Sequence, residues 1–135
     1  MTLTPTEYVY KLISPTPDAY KSYVDATGAV FDLSTGLLSI SSAQYGNLQS
    51  LFFDIGGSTY ELTPNAQIMP RSLNINIGGQ SDGFYLVVAN ISNAPLSGMD
   101  FVLGMAFLER FYTVLDTGNS RVGFATTQFT NANIN

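Results

Sequence analysis

The sequence predicts a mostly β chain, and three observations support that class. Short apolar runs recur along the 135 residues, separated by Gly, Pro, Ser, Thr or Asn. Two of the runs flank Gly56-Gly57, a pair typical of a two-residue hairpin turn. Another run, residues 85–91, is rich in β-branched side chains, which favour strands. We therefore expect a mostly β fold with one or two short helices.

The first elements follow from the local sequence. Residues 8–13 predict a first strand, because aromatic and apolar side chains favour extended backbone. Residues 14–17 (SPTP) then predict an extended turn, since each proline fixes its own φ and restricts the preceding residue. Residues 18–24 predict a short helix. Its expected boundaries are Thr16 or Asp18 at the start and Gly28 at the end.

The later elements are short segments between turn signals. Further short helices are predicted at residues 43–48 and 106–110. Further strands are predicted at residues 48–55 and 58–62. Residues 92–98 (SNAPLSG) predict a loop. No linker, repeat or charge block divides the chain, so we expect residues 1–135 to form a single domain.

Composition excludes several kinds of chemistry. The chain has no cysteine and no histidine, which rules out thiol nucleophiles, Ser-His-Asp triads and Cys/His metal sites. Carboxylates remain as acid–base groups, and we expect neither a metal nor a cofactor. A net charge of −5 with five Lys and Arg residues argues against nucleic-acid binding. No run approaches the roughly 20 apolar residues of a membrane span, so no membrane partner is expected.

The N-terminal residues MTLTPTEYVYKL lack the basic start and apolar run of a signal peptide. We expect either an intracellular protein or a chain that starts after a removed leader. Asn90-Ile91-Ser92 is a glycosylation acceptor if the chain is secreted. The strand predicted at residues 85–91 would leave this acceptor poorly accessible.

Three segments occur in a fixed order and carry a family resemblance. They read TGLLSISSAQYGNLQSLFFDIGGSTYELTPNAQIMPRSLN, then YLVVANI, then FVLGMAFLERFYTVLDTGNSRVGFA. Together they resemble the C-terminal lobe of pepsin-family (A1) aspartic peptidases, most like the polyporopepsin-type enzymes of basidiomycete fungi. The resemblance implies a single pepsin-like lobe and an extracellular location. It also implies strands at residues 101–104, 111–116 and 121–125.

The resemblance also implies where a catalytic Asp would lie. In the family this lobe supplies one Asp from an Asp-Thr/Ser-Gly turn, just before a short strand and a helix reading DAY. Residues 18–20 match that helix, and residues 11–13 (KLI) stand for the strand. Residues 4–10 instead read TPTEYVY, where Glu7 is the sole nearby carboxylate. We therefore expect no catalytic residue at this position and no peptidase activity.

Asp116-Thr117-Gly118 offers an alternative, a homodimeric aspartic endopeptidase in which each chain supplies one carboxylate. Such a pair lies about 3 Å apart and shares a proton. The residues after Gly118 hold a strand and a polar tail, whereas a retroviral-type unit needs a flap hairpin and a closing strand there. We favour a type I turn with positive φ at Gly118-Asn119. In that turn Asp116 accepts backbone hydrogen bonds, which lower its pKa.

The expected function is therefore the binding of a peptide or a protein. Tyr8 and Tyr10 are candidate binding residues, because tyrosine rings stack on peptides and sugars. A carbohydrate-binding module on the same lobe is a second alternative. Family lobes pair through a shared sheet, so the expected partners include a pepsin-like N-terminal lobe and a second copy of this chain. Residues 8–13 are the expected seam.

Overall fold

The computed structural model describes residues 13–90 and 101–135. Tyr8, Tyr10, most of the predicted first strand and the predicted loop at residues 92–98 lie outside this part. The described strands are β1 Ile13–Pro15, β2 Val30–Asp32, β3 Leu37–Ile40, β4 Leu51–Ile55, β5 Ser58–Leu62, β6 Phe84–Leu86, β7 Phe101–Leu103, β8 Phe111–Asp116 and β9 Arg121–Thr126. The described helices are α1 Pro17–Thr27, α2 Ser42–Gly46 and α3 Met105–Leu108. The predicted mostly β class is confirmed.

All strand pairs are antiparallel. The pairs are β1 with β7, β2 with β3 and β3 with β6, β4 with β5, and β8 with β9. The hairpin predicted at Gly56-Gly57 is confirmed, with φ of 59° and 82° at the two glycines. Both central positions of such a turn need positive φ, which glycine adopts without steric cost.

Helix α1 is built at both ends as the sequence predicts. Thr16 Oγ1 accepts a hydrogen bond from Ala19 N at 3.4 Å, which satisfies one of the free N–H groups of the first turn. Pro17 occupies the first helical position, where no N–H is needed. Gly28, with φ of 65°, ends the helix in the left-handed region.

Two predicted segments have different bounds in the structure. The strand predicted at residues 85–91 pairs with β3 only to Leu86, and on its other side Leu86 forms an antiparallel bridge with Ile68 in which Val87 N donates to Gln67 O at 2.8 Å. Pro15 was predicted in a turn but is the last residue of β1, opposite Phe101. A proline is tolerated there because, among the described strands, β1 has a partner on one side only.

Strands β2 and β3 were not predicted, and the turn between them explains why. Its polar sequence reads as a loop, but Asp32 Oδ1 accepts hydrogen bonds from Ser34 N at 2.7 Å and Thr35 N at 3.1 Å. The Ser34 hydroxyl also donates to this carboxylate and is the main reason that the pKa of Asp32 is lowered. Asp32 therefore orders a tight connection between two short strands.

The core is centred on Phe107, whose side chain is fully buried. Its ring centroid lies 4.6 Å from that of Phe111 and 5.5 Å from that of Phe124. Phe53 of β4 approaches at 5.6 Å, edge to face. Tyr60 of β5 contacts Phe124 at 5.4 Å. The cluster joins helix α3 to both hairpins, and aromatic contacts of this kind add to the stabilisation from buried area.

Candidate functional site

The Asp-Thr-Gly tripeptide lies at the exposed tip of the β8–β9 hairpin. Strand β8 ends at Asp116, and Thr117–Asn119 form a 3-10 turn. The prediction of positive φ at Gly118 and Asn119 was wrong, because Ser120 is the residue in the left-handed region, with φ of 51°. The 3-10 turn keeps its own three residues right-handed, so the chain reverses one residue later.

The Asp116 carboxylate is held by side-chain and backbone donors from this turn. Its Oδ1 accepts from Asn119 N at 3.2 Å, which confirms the predicted backbone hydrogen bond. Asn119 Nδ2 donates to both oxygens, at 3.1 and 2.9 Å, and Arg121 Nε donates to Oδ2 at 2.7 Å. The Asn119 amide, and next the Arg121 guanidinium, hold the pKa of Asp116 below its usual value, as predicted. We name Asp116, Asn119 and Arg121 the hairpin tip.

This geometry opposes the chemistry of an aspartic dyad. Two carboxylates that share a proton raise the pKa of one of them, whereas the donors around Asp116 favour its charged form. The backbone conformation at Gly118 also does not require glycine. Its φ lies outside the left-handed region, and an added Cβ would meet Asp116 Oδ1 at 3.7 Å, an ordinary contact. The tripeptide is a hairpin turn here.

Two other aspartates that precede a Thr-Gly pair in the sequence are also engaged locally. Asp25 forms an ion pair with Lys21 on the exposed face of helix α1. Asp32 orders the β2–β3 turn described above. Among the described residues, no group of three or more acidic side chains could hold a metal ion. No helix in the described ranges is long and apolar enough to cross a membrane.

Three tyrosines bear on the proposed binding surface. Tyr8 and Tyr10 lie outside the described residues. Tyr23 is buried, and its hydroxyl donates to Gln67 Oε1 at 3.0 Å. Burial raises the pKa of Tyr23, so the hydroxyl remains a donor. Gln67 Nε2 donates onward to Gln49 O at 2.8 Å and to Leu62 O at 3.1 Å.

A second polar cluster, which the sequence did not reveal, is centred on a buried arginine. Arg110 is 0% exposed, and its Nη1 donates to Phe129 O at 3.2 Å and Ala132 O at 2.7 Å. Its Nη2 donates to Asn65 Oδ1 at 3.4 Å. Burial lowers the pKa of this guanidinium. We name Asn65, Arg110 and residues 127–135 the tail clasp.

Asn65 holds the other end of the same tail. Its Oδ1 accepts from Ile134 N at 2.9 Å and Asn135 N at 3.2 Å. Its Nδ2 donates to Asn135 O at 3.0 Å, and its backbone oxygen accepts from Asn135 Nδ2 at 3.0 Å. One signal for this cluster is present in the sequence. Arg110 is one of only five cations and lies inside an aromatic run, FLERFY.

Exposed apolar surfaces in the described part of the chain include the β8–β9 hairpin and a groove. The hairpin exposes Tyr112, Val114, Leu115 and Val122. Among the described strands, β8 and β9 pair only with each other. The second surface is an apolar groove with a cavity of about 130 Å³. The lining residues of the groove are Ile68, Met69, Pro70, Leu73, Val87, Met105, Ala106 and Glu109.

The family model described as eukaryotic aspartyl protease matches residues 9–127. This chain belongs to that family. The match includes the α1 helix, the groove and the β8–β9 hairpin.

Individual members of the aspartyl protease family agree with this assignment. Polyporopepsin from Irpex lacteus is 57% identical over 118 residues, which make up 87% of this chain. Gastricsin from Callithrix jacchus is 35% identical over 111 residues, or 82% of this chain. The crystal structure of the aspartic proteinase from Irpex lacteus matches with a TM-score of 0.87 and 55% identity, covering 92% of this chain. The predicted family and fold are confirmed.

The chain is much shorter than these aspartyl protease relatives. It spans 35% of polyporopepsin and 26% of gastricsin. It covers 36% of the chain in the Irpex lacteus structure. That this chain shares the activity of its full-length relatives is therefore only a hypothesis.

Proposed function

We propose that this chain acts as one pepsin-type lobe, equivalent to the C-terminal lobe, that binds a peptide or a partner protein without hydrolysing peptide bonds by itself. Membership of the aspartyl protease family supports the lobe and its peptide-binding character. The state of Asp116 supports the absence of hydrolysis.

The observation that carries the proposal is the pairing of Asp116 with Asn119 and Arg121. A dyad carboxylate must give or take a proton during the reaction, which requires a pKa near the working pH. The donors on Asp116 stabilise its charged form and occupy both oxygens. A second copy of the same charged carboxylate brought to about 3 Å would add repulsion between like charges.

The test is a peptidase assay on the purified chain at acid pH, with a quenched peptide substrate and a pepstatin control. We expect no pepstatin-sensitive cleavage from the parent or from Asp116→Asn. Asp54→Asn is the matched control, because Asp54 is also an exposed hairpin carboxylate, which accepts from the Thr59 hydroxyl at 2.5 Å. Cleavage that disappears in Asp116→Asn but persists in Asp54→Asn would instead identify a homodimeric endopeptidase.

The proposed peptide site is the apolar groove that includes Met105. Met105 is 48% exposed at its rim, and flexible thioether side chains suit surfaces that accept varied partners. We expect Met105→Lys to weaken binding of an apolar peptide, measured by fluorescence polarisation. Ile75→Lys is the matched control, because Ile75 is also exposed but does not line the groove. Equal effects of the two changes would argue against this site.

The proposed protein-binding surface is the β8–β9 hairpin. Leu115 is 73% exposed, and neither strand of the hairpin has a second strand partner among the described residues, so its edges could offer backbone donors and acceptors to another sheet. We expect self-association, or association with a pepsin-like N-terminal lobe, to weaken in Leu115→Lys. Leu33→Lys, on the β2–β3 turn, is the control of similar exposure. Light scattering that finds a monomer at all concentrations, and no binding to such a lobe, would remove this part of the proposal.

A further inference from the structure

We propose that the tail clasp holds the two walls of the apolar groove in position, so that release of the tail shifts both walls and weakens peptide binding. As far as the peptide is concerned, this proposal rests on the proposed function. The link between the tail and the groove rests instead on hydrogen bonds within the chain, and a separate measurement tests it.

The groove has two walls that come from distant parts of the chain. The first wall comes from residues 68–73 together with Val87, and the second wall comes from residues 105–109. The bridge between Ile68 and Leu86 fixes the first wall to strand β6. The position of the second wall relative to the first therefore depends on other contacts.

The tail holds the second wall at its end. Arg110 directly follows this wall, and its Nη1 donates to Phe129 O at 3.2 Å and to Ala132 O at 2.7 Å. The backbone oxygen of Arg110 accepts from Thr130 Oγ1 at 2.6 Å. Arg110 and Thr130 are both buried, so these hydrogen bonds are costly to break. Residues 129–132 are thereby attached to the end of the second wall.

The end of the same tail holds the first wall. Asn135 Nδ2 donates to Ile68 O at 2.9 Å and to Asn65 O at 3.0 Å. The bridge to strand β6 uses Gln67 O and Met69 N, which leaves Ile68 O to Asn135. Ile68 is 0% exposed, so loss of this donor would leave a buried oxygen without its hydrogen bond. Asn135 thus connects the tail directly to a residue that lines the groove.

One hydrogen bond joins the two sides without the tail, but it is long. Arg110 Nη2 lies 3.4 Å from Asn65 Oδ1, beyond the usual N–H···O range of about 2.7–3.2 Å. The tail bonds to Ala132 O and Ile68 O are shorter, at 2.7 and 2.9 Å. We infer that the tail is the stronger polar connection between the walls.

The second wall is short enough to respond as one unit. Helix α3 has four residues, and Glu109 N donates to Met105 O at 2.9 Å. Phe107 holds the inner face of this helix in the aromatic core. A displacement of Arg110 should therefore tilt the helix and not detach it. Met105, at the other end of the helix and exposed at the groove rim, reports such a tilt.

Coupling between the tail and the groove must be reciprocal. If release of the tail weakens peptide binding by some factor, bound peptide favours the closed tail by the same factor. The amide of Ile134 reports closure, because Ile134 N donates to Asn65 Oδ1 at 2.9 Å only while the tail is in place.

The first experiment examines the groove without a peptide. Met69 and Met105 line opposite walls, so their isotope-labelled methyl groups serve as NMR probes, assigned with Met69→Leu and Met105→Leu. We expect Asn135→Ala to shift both methyl resonances. Asn133→Ala is the matched control, because Asn133 is exposed on the same tail, and it should leave both resonances unchanged. A shift confined to Met69 would overturn the coupling, and so would the absence of any shift.

The second experiment measures peptide binding by fluorescence polarisation. The probe is a labelled peptide with a Leu-Phe centre and serine flanks. We expect its Kd to be about fivefold higher for Asn135→Ala than for the parent, and unchanged for Asn133→Ala. In the parent chain, saturating peptide should slow hydrogen exchange of the Ile134 amide by a similar factor.

The outcomes separate the two proposals. Equal Kd values for the parent and Asn135→Ala would overturn the regulation of the groove by the tail. A parent chain that does not bind the peptide would overturn the proposed peptide site alone, because the Met105 resonance still decides whether the tail and the groove are coupled.

Discussion

The hairpin tip and the tail clasp are both built on a cation and its oxygen acceptors, but they differ in burial. In the hairpin tip the Arg121 side chain is 71% exposed and that of Asp116 28% exposed. In the tail clasp Arg110 is 0% exposed and donates to backbone and amide oxygens. Water can replace the partners of the first cluster when they separate, but not those of the second. The recognisable Asp-Thr-Gly sequence and the polar cluster expected to contribute most to folding stability therefore lie in different parts of the molecule.

The energetic reason is the cost of desolvation. Exposed ion pairs contribute little, because both charges are well solvated when they are apart and salt screens their attraction. A buried donor or acceptor that loses its partner costs about 1–3 kcal/mol, and more when the group is charged. The tail clasp should therefore contribute more to the free energy of unfolding than the hairpin tip does. Four sets of substitutions test this ranking, from the largest expected effect to the smallest.

The largest effect is expected for Arg110→Ala. The free energy of unfolding should fall by about 3 kcal/mol or more, because hydrogen bonds from a buried charged group contribute about 1.5–3 kcal/mol each and the truncated side chain leaves a cavity. Urea unfolding measures the loss. Arg110→Lys keeps the charge but loses the planar guanidinium. Its free energy of unfolding should therefore lie between those of the parent and the alanine variant. A loss as small as that of a surface substitution, about 0.5 kcal/mol, would contradict the ranking.

The second effect is expected for Asn65→Ala. The free energy of unfolding should fall by about 2 kcal/mol, because Asn65 Oδ1 is the acceptor for Ile134 N and Asn135 N. The amide of Ile134 should also exchange its hydrogen faster, which reports release of the tail. Asn133→Ala is the control, because Asn133 lies on the same tail and is exposed. Unchanged protection of Ile134 in Asn65→Ala would show that other contacts hold the tail.

The third effect is the coupling between the two residues of the clasp. Arg110 Nη2 and Asn65 Oδ1 are 3.4 Å apart, and both residues hold the same tail. The decreases in the free energy of unfolding caused by the two substitutions should therefore not be additive. We expect the double variant Arg110→Ala/Asn65→Ala to lose about 1 kcal/mol less than the sum of the single variants. Additive losses would mean that the two residues hold the tail independently.

The smallest effect is expected for Asp116→Asn at neutral pH, a slight decrease in Tm. Because the folded pKa of Asp116 is lowered, its contribution is present above the unfolded value, near 3.8, and is lost as pH falls through the folded value. The Tm difference between parent and variant should therefore disappear in acid. The loss in Arg110→Ala should persist there, because arginine stays charged. A higher Tm for Asp116→Asn at neutral pH would indicate relief of repulsion and reopen the dyad hypothesis.

Local signals in the sequence predicted a large part of the fold. Gly56-Gly57 predicted its hairpin, and Thr16 and Gly28 predicted the ends of helix α1, because turns and caps depend on residues close together in the chain. The order of the apolar segments predicted the family, which the comparisons confirm. The lowered pKa of Asp116 was predicted from backbone donors, but its main causes are the side chains of Asn119 and Arg121.

The tertiary structure decided the features that depend on distant partners. The bridge between Leu86 and Ile68, with Val87 N donating to Gln67 O, joins segments that are far apart in the chain. Arg110 and Asn65 are 45 residues apart in sequence, and the Asn65 contact to Asn135 N spans 70 residues. No local pattern marks such pairs, because burial of a cation is possible only where the folded chain brings enough oxygen acceptors around it.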